Sequence, residues 1–203
     1  MLKILGRKSS SNVQKVLWCC GELQIPFERE DIGAEYGGNH EAAYLALNPN
    51  GRVPTILDDG LVLWESNAIV RYLSAKHGAG TLWPNVLKAR ADADRWMDWQ
   101  QTTLAMDMRT LSRTLLKTPP DATPQAQLES AMEGALRAWH ILDAQLAKTP
   151  YLAGHTLTMA DIVFGNAVYR WHTLPIERPR LPHVKAWYDR LAERPAYRLH
   201  VTA

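Results

Sequence analysis

The sequence predicts an α/β unit over roughly its first eighty residues, followed by an all-α unit. Three observations predict it. Strand-like and helix-like segments interleave in residues 1–80, and the turn Asp58-Asp59-Gly60 joins two of the strand-like runs. Beyond Trp83-Pro84 only helical periods recur, separated by proline-rich breaks.

Taken in order, "LKILG" (residues 2–6) is a first strand, and "VQKVLWCCGEL" (13–23) repeats apolar residues at helical spacing. "IPFERED" returns to an extended run, which closes a βαβ unit. A short helix and a turn follow in "NHEAAYLALNPNG". "VPTILDDGLVLW" is then a strand pair whose Gly60 permits the positive φ of a tight turn. The helix "ESNAIVRYLSAKHG", stopped at Gly78, completes a ββα unit. In the second half, helices are expected over 87–117, 124–148, 158–171 and 181–193, so the domains divide as 1–80 and 87–203.

Composition narrows the function. The chain has 203 residues, is 46% apolar, and has a formal net charge of only +2 with both signs mixed throughout. No basic stripe recommends nucleic acid as a partner. No run reaches the roughly eighteen apolar residues of a membrane helix, so no membrane partner is expected. "MLKIL" is shorter than a signal peptide requires, and the expected location is cytoplasmic. Cys19 and Cys20 are adjacent in an apolar helix; they form neither a disulfide framework nor a Cys-x-x-Cys motif, and are read as core.

Three short stretches invite chemistry. "SSSN" (9–12) stands where the first strand hands over to the first helix. A Ser or Asn there caps the free N–H groups of the first turn, but one cap accounts for one residue of four. A helix N-terminus also carries partial positive charge and stabilises a thiolate or carboxylate, so the run suits either purpose. "NPNGRVPT" (48–55) enters a strand at Pro54, after either a trans or a cis Val53-Pro54 bond. The cis form would turn the Val53 backbone outward to pair with an extended peptide. In "WESNAIVRYL" (64–73), Ser66 is positioned to cap a helix with Glu65 beside it. Together they offer a hydroxyl and backbone N–H groups to a carboxylate and an acceptor to an ammonium, which is the pattern of an amino-acid head group.

In this order and spacing, with "YLAGHTLTMADIVFG" and "LPHVKAWYDRLAERPAY" in the helical half, the chain resembles the glutathione transferase family over nearly its whole length. The resemblance implies a thioredoxin-like N-terminal domain that binds glutathione and an all-α C-terminal domain that supplies the pocket of a second, usually apolar, substrate. It implies that Glu65 and Ser66 hold the γ-glutamyl group and that Val53 and a cis Pro54 clamp the cysteinyl part. Arg52, Asn50 and His40 are further candidates for contacts to glutathione. Many members use a tyrosine near the first strand, and "LKILGRK" has none. Serine-type members place their hydroxyl at Ser10, others an asparagine at Asn12, and the serine run keeps Ser11 in play; the order of preference is Ser10, Asn12, Ser11. Members that use their own cysteine carry it in this turn, whereas Cys19 and Cys20 lie about two helical turns deeper.

The expected chemistry is activation of the glutathione thiol, a co-substrate, for attack on a small electrophile, with no metal required. A free thiol of pKa ~8.5 is mostly protonated at neutral pH, so a donor at the helix end would raise the thiolate fraction. Trp96, Trp99, Thr103, Met106 and Thr110 form one stripe of a long helix, a pattern shared by cores and pockets. The family's arrangement points to Trp99, Thr103 and Met106 for the second-substrate pocket, with Trp171 and His172 as further candidates. "LTMAD" (157–161) is a capping box through Thr158 and Asp161 and is assigned to structure. The resemblance also implies a homodimer and a role in detoxification. The alternatives are a glutathione-dependent disulfide reductase or peroxidase, or a non-catalytic glutathione-binding protein of the same fold.

Overall fold

The structure, a computed structural model, describes residues 1–116 and 123–202. It separates into two compact units, Met1–Trp83 with Pro195–Ala203, and Pro84–Arg194. The expected boundary therefore changes at the far end of the chain: the 87–203 domain loses its last residues to the first unit. Their side chains explain why. Tyr197 is fully buried with its ring edge on Trp18, centroids 4.8 Å apart, and a Cβ on Gly21 would lie 2.9 Å from that of Ala196.

In the first unit, strand β1 (Leu2–Leu5) leads into helix α1 (Ser11–Glu22), and β2 (Phe27–Glu30) follows. Helix α2 (Ala42–Leu47) precedes β3 (Thr55–Asp58), β4 (Leu61–Trp64) and helix α3 (Ser66–His77). The sheet order is β2-β1-β3-β4; β1 is parallel to β2, and the other two pairings are antiparallel. The βαβ and ββα units are thus as expected. The hairpin turn uses Asp59 at φ 49° and Gly60 at φ 84°. Helices α1 and α3 pack together, and the C-terminal segment, α9 (Pro195–Tyr197) with the π-helical Arg198–Thr202, covers α1. Covered in this way, α1 buries every residue from Val13 to Cys20, polar Gln14 and Lys15 included.

The second unit is helical: α4 (Leu87–Trp99), α5 (Ala105–Leu116), α6 (Gln125–Leu146), α7 (Met159–Thr173) and α8 (Pro182–Ala192). The predicted end of the first long helix, Lys117, lies outside the described residues. A π-helical segment, Gln100–Leu104, joins α4 to α5 and changes the phase of the predicted stripe. The wider turn keeps residues four apart in line, so the buried face runs through Met97, Gln100, Leu104, Met108 and Leu111. Thr103 and Met106 are exposed instead. At the centre, α7 buries all of residues 159–166. Its capping box is formed: the Thr158 N–H donates to Asp161 Oδ2 at 2.9 Å and the Thr158 hydroxyl donates to the same oxygen at 3.3 Å. Asp161 Oδ1 accepts from Leu152 N–H and Trp187 Nε1–H, each at 3.1 Å. Burial pushes its carboxyl up to about 6 against those four donors.

Candidate functional site

Sheet topology brings the three singled-out stretches to one end of the first unit. β1 and β4 both run antiparallel to β3, so the C-terminal ends of β1 and β4 and the N-terminal end of β3 coincide. The register makes this concrete, since Leu5 pairs with Thr55 and Thr55 pairs with Trp64. One step beyond that rung lie Gly6 with the serine run, Pro54, and Glu65.

The serine run places Ser10 at the N-cap of α1 in extended backbone conformation (φ −77°, ψ 123°), where its carbonyl accepts from Gln14 N–H at 2.9 Å. Its hydroxyl makes no capping bond, and among the described residues the side chains of Ser9, Ser11 and Asn12 have no hydrogen-bond partner either. Capping therefore does not account for the run. Three polar side chains, Ser10, Ser11 and Asn12, stand half-buried beside N–H groups that the helix itself leaves unpaired.

The bond Val53-Pro54 is cis, the form the family resemblance implied. Among the described residues the Val53 N–H and C=O take no backbone partner. Close packing sets the loop against α1: a Cβ on Gly6 would stand 2.6 Å from Val13 Cγ2 and 3.1 Å from Val53 Cβ, and Gly6 has φ 153°. Only glycine fits there. On its other side the loop is braced by Asn48, buried at the end of α2. Asn48 Nδ2–H donates to Arg52 C=O at 2.8 Å, Asn50 N–H donates to Asn48 Oδ1 at 3.1 Å, and Tyr44 O–H donates to Arg52 C=O at 2.7 Å. Asn48 and Tyr44 were missed as positioning residues, although the Asn-Pro-Asn-Gly turn signal was there to find the first. Asn50, Arg52 and His40 are exposed, with the His40 ring packed over Gly51.

At α3 the assignment of the cap changes. Glu65, not Ser66, is the N-cap, at φ 71° and ψ 109°, and Ser66 is the first helical residue. A non-glycine residue at positive φ costs about 1–3 kcal/mol and persists only where its surroundings hold it. Neither side chain caps: Glu65 is exposed, and Ser66, 4% exposed, has no hydrogen-bond partner among the described residues.

The remaining candidates lie in the second unit. Trp99 is half-buried, stacked on Phe164 with centroids 6.2 Å apart, while Thr103 and Met106 are exposed. Trp171 is 1% exposed and stacks on Trp139 at 5.3 Å. The two cysteines of α1 are buried; burial pushes the Cys19 thiol up to about 12 and raises that of Cys20 as well. Neither is placed to act as a thiolate.

Comparison with known proteins shows the family. Residues 9–76 match the family model of the glutathione S-transferase N-terminal domain, and residues 105–195 match that of the C-terminal domain. The glutathione S-transferase GstB of Escherichia coli is 40% identical over 200 residues, 98% of this chain and 96% of the relative. The chain belongs to the glutathione S-transferase family. Among solved structures, the theta class glutathione S-transferase of Xanthomonas axonopodis pv. citri with glutathione bound superposes with a TM-score of 0.95 at 46% identity, covering 100% of this chain and 97% of that one. The disulfide-bond oxidoreductase YfcG of E. coli is 29% identical, over 91% of this chain and 87% of that protein. With named transferases this similar over its full length, the chain is a glutathione transferase. Among the described residues no helix is long and apolar enough to cross a membrane.

Proposed function

We propose that the protein binds glutathione at this end of the sheet and lowers the pKa of its thiol for attack on a small, apolar electrophile. The observation that carries the reading is the Ser9–Asn12 run. These are polar side chains at the start of a helix, not engaged in capping, near a Val53 backbone that takes no backbone partner among the described residues, and the Glu65-Ser66 turn. Glu65 and Ser66 receive the γ-glutamyl ammonium and carboxylate, and the Val53 backbone pairs with the cysteinyl residue. His40, Asn50 and Arg52 flank the glycine end. Ser10 donates to the thiolate, with Asn12 and then Ser11 as the next candidates. The helix end adds its dipole, and each unit of thiol pKa depression corresponds to about 1.4 kcal/mol. The residues proposed for the second substrate, Trp99, Thr103 and Met106, belong to the helical unit. Donor and positioning then act together on the rate. The relative crystallised with glutathione supports the first half of this reading.

The chain works as a homodimer in this proposal. Edge strand β4 leaves Leu61, Val62 and Trp64 each 36–38% exposed, an apolar edge that a second copy would cover. A light-scattering mass of one chain would overturn it.

The test is an ultraviolet titration of the bound thiol in the native protein, Ser10→Ala, Ser11→Ala and Asn12→Ala. Ionisation well below the free value in the native protein, abolished by one substitution, is expected. An unshifted thiol in all four proteins refutes activation by this run. A disulfide reductase is the second reading, favoured by the oxidoreductase relative. Turnover of a glutathione mixed disulfide in preference to any electrophile would install it.

A further inference from the structure

Gly6 leaves β1 at φ 153°, and a glycine by itself does not fix the direction of the chain that follows it. The approach to the serine run is fixed instead by β2 and its exit. Gly6 N–H donates to Glu30 C=O at 2.8 Å, Arg7 N–H to Ile32 C=O at 3.2 Å, and Ser10 N–H to Arg7 C=O at 3.2 Å. One side chain joins these bonds: Arg29 Nη1–H donates to Gly6 C=O at 3.0 Å. The same guanidinium forks onto the Asp31 carboxylate, Nη1 to Oδ1 and Nη2 to Oδ2, the second at 3.1 Å.

Two residues apart along an extended chain, Arg29 and Asp31 share a face. Their side chains are 25% and 32% exposed, and a pair this open to water contributes little to stability. Its geometry is the more telling feature. A two-pronged contact fixes the plane of the guanidinium, which the point charge of an ammonium cannot do, and with that plane fixed Nη1–H is aimed at the Gly6 carbonyl. Arg29 holds the Asp31 carboxyl below the ordinary carboxylate value, and the carboxylate also accepts a hydrogen bond from Lys8 N–H. Gly6, Arg7 and Lys8 are thus each tied to residues 29–32. Because the two charges of the pair cancel, what it brings to the turn is position.

We infer that Arg29, aimed by Asp31, is a positioning residue for activation of the glutathione thiol. It holds the Gly6–Lys8 segment against β2 and so sets where the side chains of Ser10, Ser11 and Asn12 stand at the start of α1. The inference rests on the activation by that run proposed above.

The test is an ultraviolet titration of the bound thiol in the native protein, in Arg29→Lys, which keeps the charge and loses the fork, in Asp31→Ala, which removes the opposite charge, and in the double variant. Charge and position predict different signs. If the pair worked through its charges, Arg29→Lys would leave the thiol as it is, and Asp31→Ala, by deleting an anion, would lower its pKa further. Positioning requires both variants to raise it by about 0.5 or more, which is about a threefold smaller thiolate fraction on the acid side of the titration. On that side of the pH profile kcat/KM should fall by about the same factor. The double variant should shift no further than the larger of the two, the signature of groups acting as one. An unchanged thiol in both single variants, or a lowered one in Asp31→Ala, overturns the inference and leaves the glutathione reading standing. So does weaker binding of S-methylglutathione, which has no ionisable thiol, with the glutathione thiol unshifted, since that is what a merely structural role gives. A native protein whose bound thiol ionises at its free value overturns the activation reading and this inference together. Should Asp31→Ala fail to fold by circular dichroism, the shift in Arg29→Lys decides alone.

Discussion

Replacing Asp161 by alanine removes the acceptor on which three elements of the helical unit converge. The carboxylate is fully buried, and its loss strands the Leu152 N–H, the Thr158 N–H and the Trp187 indole N–H, all of which donate to it now. A buried donor left without a partner costs about 1–3 kcal/mol, and since the three share one acceptor their losses overlap, giving about 3–5 kcal/mol. For a chain of this length that lowers Tm by about 6–20 °C. The pH dependence follows from the raised carboxyl. Burial holds Asp161 at about 6 in the folded protein, above the usual ~3.9, so the folded state keeps a proton that the unfolded state releases. This group therefore contributes most below the ordinary carboxylate value, and its contribution is lost as pH rises to about 6 and beyond. The cost of Asp161→Ala, measured by urea denaturation, should be about 1.4 kcal/mol smaller at pH 7.5 than at pH 5. A loss under about 1 kcal/mol at pH 5, or a larger loss at pH 7.5 than at pH 5, would refute the argument.

Three further outcomes are expected. Thr158→Ala removes one hydroxyl bond but leaves the carboxylate's other partners, and should lower stability by about 1 kcal/mol in the same assay, with kcat unchanged. Gly6→Ala puts a methyl group 2.6 Å from Val13 Cγ2 at φ 153°, so it should destabilise by about 2 kcal/mol or more and weaken glutathione binding by displacing the Val53 loop; calorimetric affinity equal to native would contradict this. Cys19 and Cys20 should resist a thiol reagent at pH 8 in the native protein and react fully in denaturant, since both are buried and the Cys19 thiol is held at about 12. Native labelling within minutes would show that α1 opens.

What local chemistry dictates was legible in the sequence. Strand-to-helix handovers at residues 6–11 and 64–66 are written in small and polar residues, the Asp-Asp-Gly hairpin in its glycine, and the Thr158–Asp161 box in a four-residue spacing. Features fixed by distant partners were not. Serines before a helix look like caps, and only the folded backbone shows Ser10 at the N-cap with its hydroxyl unused. Glu65 takes the cap at α3 because the chain leaves β4 at positive φ, which no residue preference at Glu announces. Trp171 belongs to a tryptophan pair whose other member, Trp139, is on another helix. The π-helical segment has no period of its own in the sequence, so Thr103 and Met106 could not be separated from the buried face. Lys15 stands inside an apolar run, and nothing local signals its bond to Asn67, which lies 52 residues on.

The C-terminal segment has a consequence for the order of synthesis. Residues 195–202, which cover α1, leave the ribosome only after the entire helical unit. Until then the face of Trp18 that Tyr197 later closes is open, so the first unit made is the last one finished. A nascent chain paused between the units presents an unfinished βαβ fold with apolar surface for a chaperone to recognise. A fragment cut at Trp83 for separate study would remain in that state.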